Sequence, residues 1–147
     1  MKVAAIITAQ EEAVGAAYFC HRPLVSWSIV QAQRATTIER VFVQTDSRRI
    51  GEIAGSYGVP VISGEPIHRQ TAWGTISDDL REATGTDELE ILVVLPVGAP
   101  LRQLGDIDRA VRTATDEEAD VLVAGTVWKE SEVWHLDAHG DLHAVQG

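Results

Sequence analysis

Two short runs of reactive side chains lie in the first 22 residues of this chain. Glu11 and Glu12 are adjacent carboxylates that can bind a cation, although two solvated side chains are the simpler interpretation. Cys20 precedes His21, and such a pair yields a nucleophilic thiolate when a third group orients the imidazole. The sequence supplies no such group, so a catalytic cysteine is the less favoured interpretation.

A second group of side chains with ligand chemistry lies near the carboxyl terminus. His135, His139 and His143 recur every four residues, with Asp137 and Asp141 between them. On a helix this spacing would align a metal-binding stripe. The surrounding residues alternate around a turn, however, which predicts a β-hairpin. A polar, exposed hairpin is therefore favoured over a metal site.

The elements that position these residues alternate between strand and helix. Apolar runs predict strands at residues 2–7, 40–45, 59–62, 89–95 and 121–124, and helical periodicity predicts helices at residues 23–35, 47–57, 73–83 and 107–114. We expect Asp46 to cap the second helix, Gly58 to follow it, and residues 89–95 to form a central strand. Pro60 predicts a sheet edge for its strand. The pattern is typical of one doubly wound α/β domain over residues 1–147, with a mostly parallel sheet and a terminal hairpin.

Composition narrows the function classes. The net charge is −10, from 12 Lys and Arg against 22 Asp and Glu, which argues against a nucleic-acid-binding surface. No apolar run approaches the ~20 residues of a membrane span, and no signal peptide is recognisable. The single cysteine, Cys20, excludes an internal disulfide and fits a reducing compartment. We expect a cytoplasmic protein with neither membrane nor nucleic acid as partner.

The loop after the first strand is the expected ligand site. In open α/β sheets, ligands bind beyond the carboxyl ends of the strands, and this loop commonly holds phosphate. Residues 8–22 contain one glycine, two carboxylates and a single cation, Arg22. A triphosphate requires stacked amides and positive charge, so this loop is poorly suited to one.

Several short motifs, read in order, resemble one enzyme family. They are Arg22-Pro23-Leu24, Val43-Gln44-Thr45-Asp46, Pro100-Leu101-Arg102 and the segment 136–142. Together they resemble the cytidylyltransferases that make CMP-sialic acid, CMP-KDO and related activated sugars. The resemblance implies a Rossmann-like fold of the nucleotide-diphospho-sugar transferase type. It also implies CTP or a nucleotide-sugar as ligand, Mg²⁺ if the chain is active, and a homodimer or a partner subunit.

The motifs that carry the family's chemistry differ in this chain. The family loop A-R-x-x-S-K-G corresponds to residues 9–15, where Gln10 replaces the arginine and Val14 replaces the lysine. The cytosine-contacting loop Q-P-T-S-P-L-R corresponds to residues 96–102, where its glutamine, threonine and serine have become proline, glycine and alanine. We also expect the family's later sugar-binding and dimerisation segment, with its metal-binding aspartate pair, to be missing. The resemblance leaves a residual nucleotide-binding set of Ala9, Gln10, Gly15, Arg22, Asp46 and Arg102, and no catalytic residue.

Two functional hypotheses follow from these departures. The favoured one is a catalytically impaired relative of the cytidylyltransferases that acts as a binding, scaffold or regulatory subunit. The alternative is a divergent active enzyme that transfers CMP from CTP to a nonulosonic or KDO-type sugar, with missing groups supplied by a partner subunit. A small-molecule or metal-binding module built on the hairpin histidines is a third, weaker possibility.

Overall fold

The computed structural model describes residues 2–63, 80–82, 89–125, 134–136 and 142–144. In chain order the elements are β1 (Val3–Thr8), α1 (Glu12–Gly15), β2 (Tyr18–Phe19), β3 (Arg22–Pro23), α2 (Leu24–Arg34), β4 (Arg40–Gln44), α3 (Arg48–Ser56), β5 (Val61–Ile62), β6 (Ile91–Pro96), α4 (Asp106–Asp116), β7 (Trp134–Leu136) and β8 (Leu142–Ala144). Strands and helices alternate up to α4, which confirms the predicted α/β class.

Among the described residues, the main sheet has four parallel strands in the order β5-β4-β1-β6. The predicted edge position of the strand that contains Pro60 is confirmed in the described part of the sheet, where β5 is the first strand. The predicted central position of residues 89–95 is wrong within the described sheet, where β6 is the opposite end and β1 lies inside. Thr8 at the end of β1 is in register with Gln44 of β4 and Pro96 of β6.

Both faces of the sheet are covered, as a doubly wound architecture requires. Ala5 and Ile7 of β1 pack with apolar side chains of α2, α3 and α4 in one cluster. Ala4 and Ile6, which point to the opposite face, pack in a second cluster with Leu80. Alternation along one buried strand therefore supplies the cores on both sides.

The predicted third helix falls mostly outside the described residues. Residues 80–82 are helical and Leu80 is fully buried. The other residues of the predicted helix, 73–79 and 83, lie outside the described part of the chain.

Three local predictions need correction. Residues 8–22, predicted to be a loop, contain α1 and most of the β2–β3 hairpin. These elements are too short to produce a recognisable hydrophobic period in the sequence. Ser47, not Asp46, caps α3, since the Ser47 hydroxyl accepts a hydrogen bond from the Ile50 amide at 3.2 Å. Residues 121–125 form no strand, and Val121 and Val123 are exposed.

The carboxyl-terminal hairpin is confirmed as an antiparallel pair, β7 with β8, in which His135 is the register partner of His143. His139 and both aspartates between the histidines fall outside the described residues. In the part of the chain that the structure describes, no helix has the length and apolar character needed to cross a bilayer.

Gly58 follows the C-cap of α3, as predicted, and has a left-handed backbone conformation with φ +68°. A Cβ added at Gly58 or at the helical Gly55 would meet no atom within 4 Å. We expect Gly58→Ala to destabilise the fold by about 1–2 kcal/mol, because L residues are strained at this φ. The matched Gly55→Ala should stabilise it by about 0.5–1 kcal/mol. The free energy of unfolding of both variants is measured in urea. Equal effects of the two substitutions would show that the left-handed backbone at Gly58 is not what makes the glycine necessary.

Asp108 ties the first turn of α4 to the connection between α2 and β4. Its carboxylate accepts hydrogen bonds from the Thr37 hydroxyl at 2.7 Å and from the Thr37 and Thr36 amides at 2.8 and 3.1 Å. These bonds lower the pKa of Asp108 to about 2, and the bond from the Thr37 hydroxyl makes the largest contribution. Because the folded pKa is depressed, the stabilisation is present above the unfolded pKa of about 3.9 and disappears as the pH falls through about 2.

We therefore expect Asp108→Asn to be less stable than the wild type at pH 6, with the difference shrinking between pH 4 and pH 2. Denaturant midpoints measured across this range test the prediction. A difference that stays constant with pH would show that the carboxylate charge is not the stabilising group.

Candidate functional site

A cleft lies between the carboxyl ends of β1 and β6, at the point where the strand order of the sheet reverses. It is a cleft of about 290 Å³, lined by Thr8, Gln10, Glu11, Val14, Pro96, Val97 and Gly98. Chain connections leave β1 toward β4 on one side of this point and reach β6 on the other. A crevice at such a switch point is the usual ligand site of open α/β sheets.

Ala9 fixes the first wall of the cleft through its backbone. Its amide donates to the Gln44 carbonyl at 3.0 Å, and its carbonyl accepts from the Thr45 hydroxyl at 2.7 Å. The Ala9 methyl group is fully buried in the core. Ala9 therefore anchors the loop after β1 and presents no functional group to the cleft.

Gln10 follows directly and lines the cleft. Its side-chain nitrogen is buried and has no hydrogen-bond partner. Leaving a buried polar group unpaired costs about 1–3 kcal/mol. The unpaired amide is thus the clearest chemical feature of the lining residues, although the nitrogen itself is buried within the protein and is not exposed in the cleft.

Gly15 has a packing role. A Cβ at Gly15 would lie 2.7 Å from Cδ1 of Ile50, a fully buried residue of α3. Glu12, at the start of α1, accepts a hydrogen bond from the Ser47 hydroxyl at the cap of α3. Close approach of α1 to α3 explains the glycine without any ligand, and Gly15 does not line the cleft.

Arg22 belongs to the β2–β3 hairpin, whose turn residues Cys20 and His21 both have positive φ. The Arg22 guanidinium lies over the Trp27 ring at 5.8 Å, and the Trp27 indole donates to the Phe19 carbonyl at 2.9 Å. Arg22 and Cys20 are exposed. Arg22 thus covers an aromatic surface and is not among the described residues that line the cleft.

Asp46 is exposed at the end of β4 and makes no hydrogen bond or ion pair with the described residues. The adjoining Ser47 performs the capping that was predicted for Asp46. The structure therefore leaves the Asp46 carboxylate in solvent, and it is not among the described residues lining the cleft.

Arg102 holds the second wall of the cleft in place. Its guanidinium donates to the Ser28 hydroxyl and the Gln31 side-chain oxygen, each at 3.2 Å, and to the Pro96 carbonyl at 2.9 Å. Gln31 in turn donates to the Pro100 carbonyl at 2.7 Å. Burial lowers the pKa of Arg102 from its ordinary value. The arginine therefore fastens the loop after β6 to α2.

The described lining of the cleft contains no lysine or arginine and one carboxylate, Glu11. The resemblance implies Mg²⁺, which prefers octahedral oxygen ligands and is usually held by one or two carboxylates together with substrate phosphates. Among the described residues no three His, Cys, Asp or Glu side chains group together as metal ligands. The described lining therefore offers one carboxylate, Glu11, and a magnesium ion bound there would take its other ligands from water or from substrate phosphates.

The six residues predicted to bind nucleotide therefore separate into different roles. The structure places Gln10 in the cleft, uses Ala9, Gly15 and Arg102 to build its surroundings, and leaves Arg22 and Asp46 exposed. Sequence reasoning missed Gln31, whose contacts with the 96–102 loop are long-range. Its polar side chain on the buried side of α2 was the available signal.

Comparison with protein-family models gives no match. The chain is 25% identical over 119 residues to the post-translational flagellin modification protein B of Campylobacter coli, covering 77% of this chain and 51% of that protein.

Solved structures show the same fold. The CMP:2-keto-3-deoxy-manno-octonic acid synthetase complexed with CTP matches 81% of this chain and 49% of its own, with TM-score 0.63 and 18% identity. The 4-diphosphocytidyl-2C-methyl-D-erythritol synthase matches 78% and 55%, with TM-score 0.66 and 13% identity. A Mycobacterium tuberculosis protein complexed with manganese matches 78% and 60%, with TM-score 0.55 and 11% identity.

These findings confirm the resemblance to cytidylyltransferases at the level of the fold. The chain spans about half the length of the curated relative, and about half the length of the synthetase and the synthase that it matches.

We expect Arg102→Ala to destabilise the fold by about 2 kcal/mol, because it removes three charge-assisted hydrogen bonds, one of them to the buried Ser28 hydroxyl. The matched control is Arg109→Ala, whose partner Asp106 forms an exposed pair with it at 2.6 Å. That change should cost less than about 1 kcal/mol. Denaturant unfolding compares the two, and equal losses would refute the anchoring role of Arg102.

Proposed function

We propose that this chain is a non-catalytic relative of the cytidylyltransferases that acts as a binding, scaffold or regulatory subunit. The observation that carries the proposal is the charge of the switch-point cleft. Its described lining has a carboxylate, Glu11, and no cation. The two residues that the resemblance places opposite the family's phosphate-binding cations, Gln10 and Val14, both line that cleft and are both uncharged.

The chemistry of nucleotidyl transfer makes this charge decisive. Catalysis at a phosphorus atom consists mostly of positioning and of neutralising developing charge with Lys, Arg and metal ions. Loss of one preorganised donor typically lowers the rate by about 10²–10³. A cleft without such donors supports turnover poorly, even when the effects of several losses do not add.

The arginines that could compensate are engaged elsewhere or lie outside the described residues. The Arg102 guanidinium is committed to Ser28, Gln31 and the Pro96 carbonyl. Arg22 lies over Trp27 on the hairpin. Arg69 lies outside the described part of the chain.

A second candidate is a divergent enzyme completed by a partner subunit or by a second copy of the chain. The position of the cleft favours it, because the crevice lies at the point where this architecture binds ligands. One structural neighbour was solved with CTP and another with manganese. The curated relative is named for flagellin modification, and the neighbour solved with CTP is named a CMP:2-keto-3-deoxy-manno-octonic acid synthetase.

A pyrophosphate-release assay separates the two candidates. We expect the purified chain with CTP, Mg²⁺ and a KDO-type or nonulosonic sugar to release pyrophosphate no faster than the buffer blank. Release well above the blank by the chain alone would overturn the proposal. Release only after a partner protein is added would establish the second candidate.

The matched variant is Gln10→Arg with Val14→Lys, which returns both cations to the cleft wall. We expect it to bind CTP at least about tenfold more tightly than the wild type in calorimetry, since charge-assisted contacts to phosphate are strong. Equal CTP affinity in the two proteins would show that the cleft charge is not what limits triphosphate binding.

A further inference from the structure

We propose that a second copy of this chain docks head to tail, with the β2–β3 hairpin of one protomer against residues 116–123 of the other. Both surfaces lie outside the described lining of the cleft, so the inference goes beyond the proposed function and depends on no ligand. Neither surface belongs to the dimerisation segment that the resemblance implies. The inference is carried by the complementary charge of the two surfaces and by the apolar side chains that both expose.

The first surface, here called the acidic segment, comprises residues 116–123 at the end of α4 and just beyond it. It carries four carboxylates and no cation, and its acidic residues are all exposed: Asp116, Glu117, Glu118 and Asp120. None of the four forms an ion pair with a described residue. The segment is therefore a concentrated negative charge without a described counter-ion.

These carboxylates lie where they weaken the helix. The carboxyl end of an α-helix is the negative pole of its dipole, and cations are the charges that stabilise it. The last turn of α4 contains no basic residue. The amides of Glu117, Glu118 and Ala119 donate back to carbonyls of residues 113–115, which keeps the acidic residues at the helix end. A cation from outside the chain would reduce both the repulsion among them and the repulsion from the dipole.

Apolar side chains continue the acidic segment. Val121, Leu122 and Val123 follow Asp120 directly, and the two valines are 70% and 82% exposed. Scattered exposed apolar residues are ordinary, whereas a contiguous apolar run beside polar residues is typical of a protein–protein contact. The acidic segment is therefore suited to a partner that offers both positive charge and apolar surface.

The β2–β3 hairpin offers both. Tyr18 is 71% exposed and Phe19 is 38% exposed. The exposed Arg22 lies over the Trp27 ring and forms no ion pair with a described residue. A guanidinium over an aromatic face keeps N–H groups available to a carboxylate. Residues 16–28 contain no carboxylate, so the surface that carries Arg22 has no acidic residue of its own.

The hairpin is ordered before any contact is made. The Trp27 indole donates to the Phe19 carbonyl at 2.9 Å, and the two rings pack edge to face with centroids 6.3 Å apart. The Leu24 amide donates to the Ala17 carbonyl at 2.8 Å, which closes the base of the hairpin. Because its side chains are already positioned, the hairpin loses little conformational entropy when it binds.

The charge distribution indicates a second copy as the partner. The chain carries a net charge of −10, so two copies repel each other unless a cationic patch of one meets an acidic patch of the other. The hairpin and the acidic segment form such a pair, and no hydrogen bond or ion pair of the described residues joins them within one protomer. Each copy has both surfaces, so each can donate one contact and accept another.

Sedimentation velocity of the full chain over a range of concentrations tests the inference. We expect self-association with a Kd of about 10–100 μM, because the contact is small, and weaker association as the salt rises from about 0.05 to 0.5 M. Tyr18→Ser should weaken self-association about tenfold. Leu104→Ser removes another highly exposed apolar side chain, outside both surfaces, and should leave it unchanged.

Charge reversal identifies the two surfaces. Arg22→Glu and Glu118→Arg should each weaken self-association at least about tenfold, because like charges then meet. An equimolar mixture of these two variants should associate like the wild type, since each hairpin then faces an acidic or basic segment of opposite charge. Arg49→Glu makes the same charge change at an exposed residue of α3, outside both surfaces, and should associate like the wild type.

Three results would overturn the inference. They are a wild-type chain that remains monomeric at about 1 mM, a Tyr18→Ser variant that associates as tightly as the wild type, and a mixture of the two charge-reversal variants that stays monomeric while the wild type associates. These measurements involve neither CTP nor pyrophosphate, so the failure of this inference is distinguishable from the failure of the proposed function.

Discussion

The pairing of β1 with a parallel strand on each side organises the described part of the molecule. Backbone hydrogen bonds to β4 and β6 hold β1 inside the sheet, so its alternate side chains must be apolar on both faces. The same pairing brings the loops after β1 and β6 together. The cleft is therefore a consequence of strand order, and its location does not depend on the chemistry of its lining.

The fold and the chemistry of the site are separable in this chain. The structural neighbours share the architecture at 11–18% identity, because an apolar strand pattern and close helix packing satisfy it. Charged donors in a ligand loop contribute little to that packing, so they can be lost while the framework remains. Arg102 illustrates the converse, since its guanidinium serves the scaffold through three hydrogen bonds.

Three buried side-chain atoms among the described residues have no hydrogen-bond partner, namely the Gln10 nitrogen, the Ser26 hydroxyl and the Gln44 oxygen. Most buried donors and acceptors in folded proteins are paired, and exceptions are often functional. The Gln10 nitrogen and the Gln44 oxygen belong to side-chain amides, and of these two residues Gln10 lines the cleft. Both side-chain amides are neutral. In the family loop that residues 9–15 resemble, the position of Gln10 is an arginine. The described lining of the cleft thus has a neutral amide at position 10 and no cation for a phosphate.

The sequence by itself determined the alternation of strands and helices, the edge position of β5, Gly58 after α3 and the terminal hairpin, because local periodicity and backbone preference carry these features. Tertiary structure alone decided which polar residues meet. The cap passed from Asp46 to Ser47 through a one-residue difference in where α3 begins. Residues 121–124 are apolar enough for a strand, yet a strand also needs a neighbour, and none pairs with them in the described sheet. The contacts of Arg102 with Ser28 and Gln31 span more than 70 positions, a separation that no local pattern records.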